Sequence, residues 1–377
     1  MHGCAHRPGA AESDRQTRLM INIAHKRIVV IGAGIVGASL AYHLARLGAR
    51  VTVVEAGEIA CGVTSTSFAW INTSRAGPDP IALLRGGAID AYRRLEKQLP
   101  GLNLRWSGAL CHGTGVGADH AAAQPPAMML TQSQVRALEP ALRQAPRQAW
   151  YAPEQGALDA VAATQALIAG AKALGATILT HTAVSDIVVR DGQVTGVETA
   201  SGVIDADLAV LAAGTGITAL LGKFNVALPI DASPAIFMRY AAPHGLIRTI
   251  ISSDEMEARQ AEDGTLLAAE DYIDDSDENQ APAIALRAAR AIRHALDGAD
   301  AIEPQYACIG KRPMPADGVP IIGYLPAVNG VYVCVMHPGV TLAAIAGRLA
   351  SEELVMGKVH AALEPCRPER FLHRHAP

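Results

Sequence analysis

The sequence predicts an α/β fold in which a Rossmann-like dinucleotide-binding domain, assembled from separated stretches of chain, carries a second, mixed-sheet α+β domain. Three observations predict it. Residues 26–57, KRIVVIGAGIVGASLAYHLARLGARVTVVEAG, spell a strand, a glycine turn, a helix and a returning strand that ends in an acid. Residues 160–216 resume that pattern and close on ADLAVLAAGTG (206–216), an apolar strand running into a second glycine turn. The intervening stretches 93–150 and 226–304 break it, with more polar strands and an acidic run from Glu270 to Glu278. The expected division is therefore a nucleotide domain over 26–92, 151–225 and 305–365, and a substrate domain over 93–150 and 226–304.

Residues 1–25, with Arg7, Arg15, Arg18, three histidines and no apolar core, do not read as a secretory signal. They are expected to be a disordered tail, with Met20 a candidate start.

In the first unit Arg27–Ile31 is a short β-branched run, followed at once by Gly32-x-Gly34-x-x-Gly37. Gly32 permits the sharp turn, Gly34 leaves room for a pyrophosphate against the main chain, and Gly37 lets the helix pack close to the strand. Ile35, Val36, Leu40, Leu44 and Leu47 recur at helical spacing, Gly48 is placed to cap, and Arg50–Val54 returns. Glu55, at the end of that strand, suits the two hydroxyls of a ribose and disfavours a 2′-phosphate, and with it NADP.

Further on, Ala160–Leu174 reads as a helix, Thr177–Thr180 as a strand, and Val184–Val189 with Gln193–Thr199 as a hairpin around Asp191-Gly192. Pro282–Leu296 reads as a helix of the second domain. YACIGKRPMPADGVPIIG (306–323) is expected to be a proline-punctuated loop, followed by strand Val331–Met336, the turn His337-Pro338-Gly339 and a helix from about Thr341.

The chain's 377 residues are half apolar and carry a net charge of −4 with acids and bases interspersed. Nothing there favours nucleic acid or an anionic membrane surface, and no apolar run is long enough to span a bilayer, so a cytoplasmic protein with a small-molecule ligand is expected. The six cysteines form no CxxC or Cys/His spacing, and the acidic run lacks the punctuation of a calcium loop. No metal is expected.

GAGIVG with Glu55, GVTSTSFAWIN (62–72), VLAAGTG (210–216), and GKRPMPADGVPIIG with HPGVTLA (310–323 and 337–343) stand in an order that resembles the D-amino acid oxidase and glycine oxidase family of flavoproteins. The resemblance implies FAD in a glutathione-reductase-type fold. It implies cofactor contacts at Gly32, Gly34, Ile35, Val36, Gly37, Glu55 and Ala56, and along the second motif at Thr64, Ser65, Ala69, Trp70 and Ile71. Val184 is where relatives place a main-chain contact to adenine, Ala213 and Gly214 would lie beside the cofactor, and Gly339, Val340, Thr341 and Leu342 would present amides to the flavin pyrimidine ring.

Arg312, in the GKRP motif, is expected to clamp the substrate carboxylate with its planar fork. His337 is expected near the flavin. Cys308 lies near the position where sarcosine oxidase relatives tether flavin, but the rest of the tether motif is missing and it is expected to pack as a thiol. Arg259 and Tyr272 are further candidates for substrate contact. The activity implied is oxidation of the C–N bond of a small amino acid or secondary amine by hydride transfer to the flavin, with oxygen or a quinone as final acceptor and a homo-oligomer or partner subunit as the assembly. A flavin-dependent 2-hydroxy acid dehydrogenase and the flavin subunit of a multi-component amine dehydrogenase stand as alternatives.

Overall fold

The computed structural model describes residues 26–74, 78–114, 127–224 and 226–372. The tail 1–25 lies outside these residues.

One sheet of six strands runs in the order Ile321–Tyr324, Val331–Val335, Leu208–Leu211, Arg27–Ile31, Arg50–Val54, Thr177–Leu179. All its pairings are parallel except that of the edge strand Ile321–Tyr324. Alternation along each strand decides what covers each face. Ile28, Val30, Val51, Val53 and Val210 face a core with helices Ile35–Arg46, Ala160–Ala173 and Gly339–Met356. Val29, Ile31, Val54 and Leu211 face Ile187 and Val197, on the antiparallel three-stranded meander Val184–Arg190, Gln193–Thr199, Gly202–Asp205. Asp191 and Gly192 turn its first hairpin at φ of 51° and 74°, the two left-handed residues a type I′ turn requires.

Two of those helices are held unusually close. A Cβ on Gly347 would stand 2.2 Å from the Ser39 hydroxyl, and Ser39 Oγ donates to Ala343 O at 2.7 Å. The contact fixes the N-terminal ends of Ile35–Arg46 and Gly339–Met356 relative to each other, and both ends lie at the site described below.

The second sheet has eight strands in the order Glu303–Pro315, Ile230–Ala241, Leu266–Asp271, Glu257–Gln260, Ile250–Ser252, Ala109–Cys111, Gln148–Ala152, Met128–Thr131. Helix Ala281–Ala295 packs Ile284, Ala285, Ala288 and Ile292 against Met238, Tyr240 and Leu266 on one face. The other face presents Phe237, Leu267 and Ile250 to Phe68 and Ala157 of the nucleotide-side loops.

This pairing differs from the sequence reading in one respect. Residues 303–315 are a thirteen-residue strand of the second sheet, where a loop of the nucleotide domain was expected. Pro304, Pro313 and Pro315 belong to the outermost strand, which bonds on one side only, so a missing N–H can face the open edge. Likewise Gln148–Ala152 extends the second sheet past residue 150.

Candidate active site

A single cavity of about 870 Å³ lies between the two sheets, lined from all four motifs that carry the resemblance. Its size is at the upper end for small-molecule sites and suits a dinucleotide. At its base Gly32 turns at φ +105°, where a Cβ would stand 2.7 Å from Ala212 O. Only glycine fits there. Gly37 does not line the cavity, and its role is packing: a Cβ there would stand 2.0 Å from Gly32 O.

Helix Ala160–Ala173 begins with a side-chain cap, Asp159 accepting from the amides of Val161 and Ala162 at 2.9 Å. Helices Ile35–Arg46 and Gly339–Met356 have no such side-chain cap. Gly34, Ile35 and Val36 of the first, and Gly339, Val340 and Thr341 of the second, line the cavity. Two positive helix ends thus meet one cavity, with first-turn amides other than that of Ile35 left available to an anion. Thr64 Oγ1 takes the Ile35 amide at 3.1 Å and ties the second motif to the first helix.

Glu55 and Ala56 line the far end with Val184. The Glu55 carboxylate accepts from Ala33 N at 2.7 Å and from Gly57 N at 2.9 Å, which fixes it at the strand end where a ribose would lie. Ala213, Gly214, Ala69 and Trp70 also line the cavity. Trp70 is oriented by Nε1 donating to Gln155 Oε1 at 2.9 Å, and Thr341 Oγ1 donates to Trp70 O at 3.2 Å while accepting from Asn72 N at 3.3 Å. The hydroxyl of Tyr92, fully buried, donates to Val340 O and holds the second helix start from behind.

Besides Gly37, three expected cofactor residues stand off the cavity. Ile71 and Leu342 are fully buried in the core beneath it, because alternation along a strand and rotation along a helix turn them away from the neighbours that do line it. Ser65 is exposed and its hydroxyl donates to Gly62 O at 2.9 Å, serving its own turn.

Arg312 lines the cavity from the edge strand. Its Nη2 donates to Ser233 Oγ at 3.1 Å and Pro234 O at 3.0 Å, while Nε is buried without a partner, and among the described residues it has no ion pair. A guanidinium anchored by neutral acceptors keeps its charge unmatched for a ligand anion. Gly310, two residues earlier, seats this strand against the second motif, since a Cβ there would stand 2.4 Å from Thr66 Oγ1. His337 also lines the cavity; burial, then the charges of Arg312 and Arg85, push its pKa down to about 4, so it is neutral at physiological pH.

The other candidates in the second domain have structural duties. Arg259 donates from Nε to Phe68 O at 2.7 Å and from Nη2 to Leu158 O at 2.9 Å, with its guanidinium over the Phe68 ring. Tyr272 hydrogen-bonds Asp275 in the exposed acidic turn. Cys308 is not among the cavity-lining residues; it packs with Phe68 and Phe237.

Sequence reasoning missed three charged residues of the wall, Arg85, Glu257 and Lys311, which precedes Arg312. Arg85 is buried and paired with Asp79 at 2.7 Å. Glu257 faces the cavity from the second sheet, and burial, then the neighbouring charges of Asp271 and Glu270, push its pKa up to about 7 against the opposing effect of Arg312. The signal for Glu257 was present: Glu257 and Arg259 share one face of a strand whose other face carries Ala258.

The fit to a flavin dinucleotide therefore rests on glycine turns, two helix starts with free first-turn amides and a carboxylate fixed at the end of the second strand. Comparison with known proteins agrees. The family model described as FAD dependent oxidoreductase, DAO, matches residues 27–353. Glycine oxidase of Bacillus licheniformis is 25% identical over 373 residues, covering 91% of this chain and 96% of that protein. The formaldehyde-forming 4-methylaminobutanoate oxidase of Paenarthrobacter nicotinovorans is 30% identical over 235 residues, 59% of this chain; the match spans only 28% of that longer protein. Among solved structures, glycine oxidase from Geobacillus kaustophilus superposes with a TM-score of 0.80 at 22% identity, covering 93% of this chain and all of that one, which shows the shared fold. Among the described residues no helix is long and apolar enough to cross a membrane. With a cavity built for a flavin dinucleotide and a family match over nearly the whole described chain, this protein belongs to the DAO family of FAD-dependent amino acid and amine oxidoreductases.

Proposed function

We propose that this chain oxidises the C–N bond of a small amino acid or secondary amine that carries a carboxylate. The observation that carries the reading is Arg312, a cavity-facing guanidinium hydrogen-bonded only to neutral acceptors and in no ion pair among the described residues. A ligand carboxylate in the cavity supplies the missing counter-charge, and the planar fork favours binding through two oxygens.

FAD, held by the glycine turns, Glu55 and the helix starts, supplies the two-electron acceptor for the hydride leaving the carbon next to nitrogen. The chain's own part is alignment and electrostatics. Arg312 fixes the substrate at one end, so that the reacting carbon is held in one orientation. The start of helix Gly339–Met356 lays its positive end along the cavity, where it favours negative charge developing on the cofactor. Phe68, Trp70 and Phe237 wall the site with apolar surface and limit water. His337, held neutral, adds no competing cation beside Arg312. The imine product hydrolyses in water after release.

The relatives named for glycine and for 4-methylaminobutanoate are both named for carboxylates that bear an amine, which supports this substrate class. The test is anaerobic bleaching of the bound flavin by a panel of small amino acids, N-methyl amino acids and 2-hydroxy acids. Bleaching by amine-bearing members alone is expected. Bleaching by hydroxy acids alone would replace this reading with the dehydrogenase alternative, and peroxide release in air separates oxygen from a quinone as the acceptor.

A further inference from the structure

Among the described residues the cavity contains an acid, Glu257, with no side-chain partner, as well as a cation, Arg312, whose partners are both neutral. Across the second sheet, Cys308, Phe237, Ala269 and Glu257 stand in register on four adjacent strands, so Glu257 shares the face that Phe237 and Ala269 turn to the cavity. Its carboxylate makes no hydrogen bond or ion pair among the described residues, although protein surrounds it closely enough to disfavour the charged form. Carboxylates removed from water are ordinarily paired. Arg312 is near enough for its charge to act on Glu257, yet the two do not touch. Two opposite charges that face one cavity and are not neutralised by each other describe a site for a dipolar molecule.

We propose that Glu257 anchors the cationic nitrogen of the substrate, so that the cavity takes a short zwitterion with its carboxylate on Arg312 and its ammonium on Glu257. This deepens the proposed amine oxidation and rests on it: the bound ammonium gives one proton to the Glu257 carboxylate, and the neutral amine so formed supplies the lone pair that closes the imine as hydride leaves the carbon. It makes Glu257 the residue that selects amino carboxylates over hydroxy acids and plain carboxylates, because only an amine returns the interaction that this acid loses on leaving water.

The test uses ligands that cannot be oxidised, 2-aminoisobutyrate and isobutyrate, bound to the purified flavoprotein and followed by the shift in flavin absorbance. Neither needs turnover, so the contrast is read even if no amine in the panel bleaches the flavin. Glu257→Gln keeps the shape and an acceptor oxygen but removes the charge. It is expected to weaken 2-aminoisobutyrate at least about tenfold and to leave isobutyrate equal or tighter. The unaltered protein provides a second readout that needs no variant. The charges that act on Glu257 are those of Asp271 and Glu270 on the adjoining strand and of Arg312; Cys111, whose thiol burial pushes up to about 12, lies within reach of it, and Lys311 and the already neutral His337 line the same cavity. As the pH falls through about 7, Glu257 protonates, and affinity for 2-aminoisobutyrate is expected to fall while that for isobutyrate does not. Equal changes for both ligands in the variant, or parallel pH dependence in the unaltered protein, would overturn the proposal.

Discussion

Replacing Arg312 by alanine separates binding of substrate from binding of cofactor. The guanidinium spends Nη2 on Ser233 and Pro234, both neutral acceptors, and leaves Nε buried and unmatched. A carboxylate taking two charge-assisted hydrogen bonds from it would gain about 3–5 kcal/mol, at roughly 1.5–3 kcal/mol per bond with some loss to ordering. At about 1.4 kcal/mol per tenfold change, truncation should lower kcat/KM by about 10²–10³, chiefly through KM. The fold should tolerate it, because the residues around Arg312 on the edge strand remain paired by main-chain bonds to Ile230–Ala241. The assay is steady-state kinetics beside a flavin spectrum and a flavin-to-protein ratio. A variant that keeps its flavin and loses affinity for substrate fits the reasoning. One that loses its flavin would make Arg312 a structural residue, and one with unchanged KM would remove it from the substrate site.

Gly32→Ala should introduce about 1–3 kcal/mol of backbone strain and push its Cβ into Ala212 O, lowering Tm and flavin content together; normal flavin content would show that the turn is not the cradle. Glu55→Ala removes the acceptor of the Ala33 and Gly57 amides and the ribose partner, so FAD affinity measured by reconstitution should drop more than in Glu55→Gln, which keeps an oxygen; equal, wild-type affinities would contradict the assignment. His43 is buried, with Nε2 unpartnered, and burial, then the charges of Arg46 and Arg348, lower its pKa to about 4. The unfolded chain therefore binds more protons than the folded one between about 4 and 6.5, and stability contributed by neutral His43, up to about 3 kcal/mol, is lost as the pH falls through that window. His43→Gln should flatten the acid side of a Tm-against-pH curve, and an unchanged slope would assign the acid sensitivity elsewhere.

Legibility in the sequence followed the range of the physics involved. Gly32, Gly34 and Glu55 act through local turn geometry and a fixed count of residues along one βαβ unit, and the strand, helix and hairpin limits around them were readable for the same reason. Which face a residue turns is harder to read where an element is short. Ile71 sits in a two-residue strand and Leu342 in a helix that begins two residues earlier than the spacing suggested, and both point into the core. The strand Glu303–Pro315 was hidden by its prolines, because whether proline is tolerated depends on being at a sheet edge, a property of the assembled sheet. Glu257 is the clearest case. Its neighbours in space are Arg312 and Asp271 on other strands, and the alternation that puts it on one face with Arg259 does not tell that this face meets a cavity.

The account depends on separated stretches of the chain closing around one FAD molecule without a covalent bond. Acid precipitation of the purified protein followed by identification of what enters the supernatant measures this directly. One FAD released per chain, with a colourless pellet, is the predicted result. A chain that carries FMN, no flavin, or a flavin retained in the pellet would contradict it.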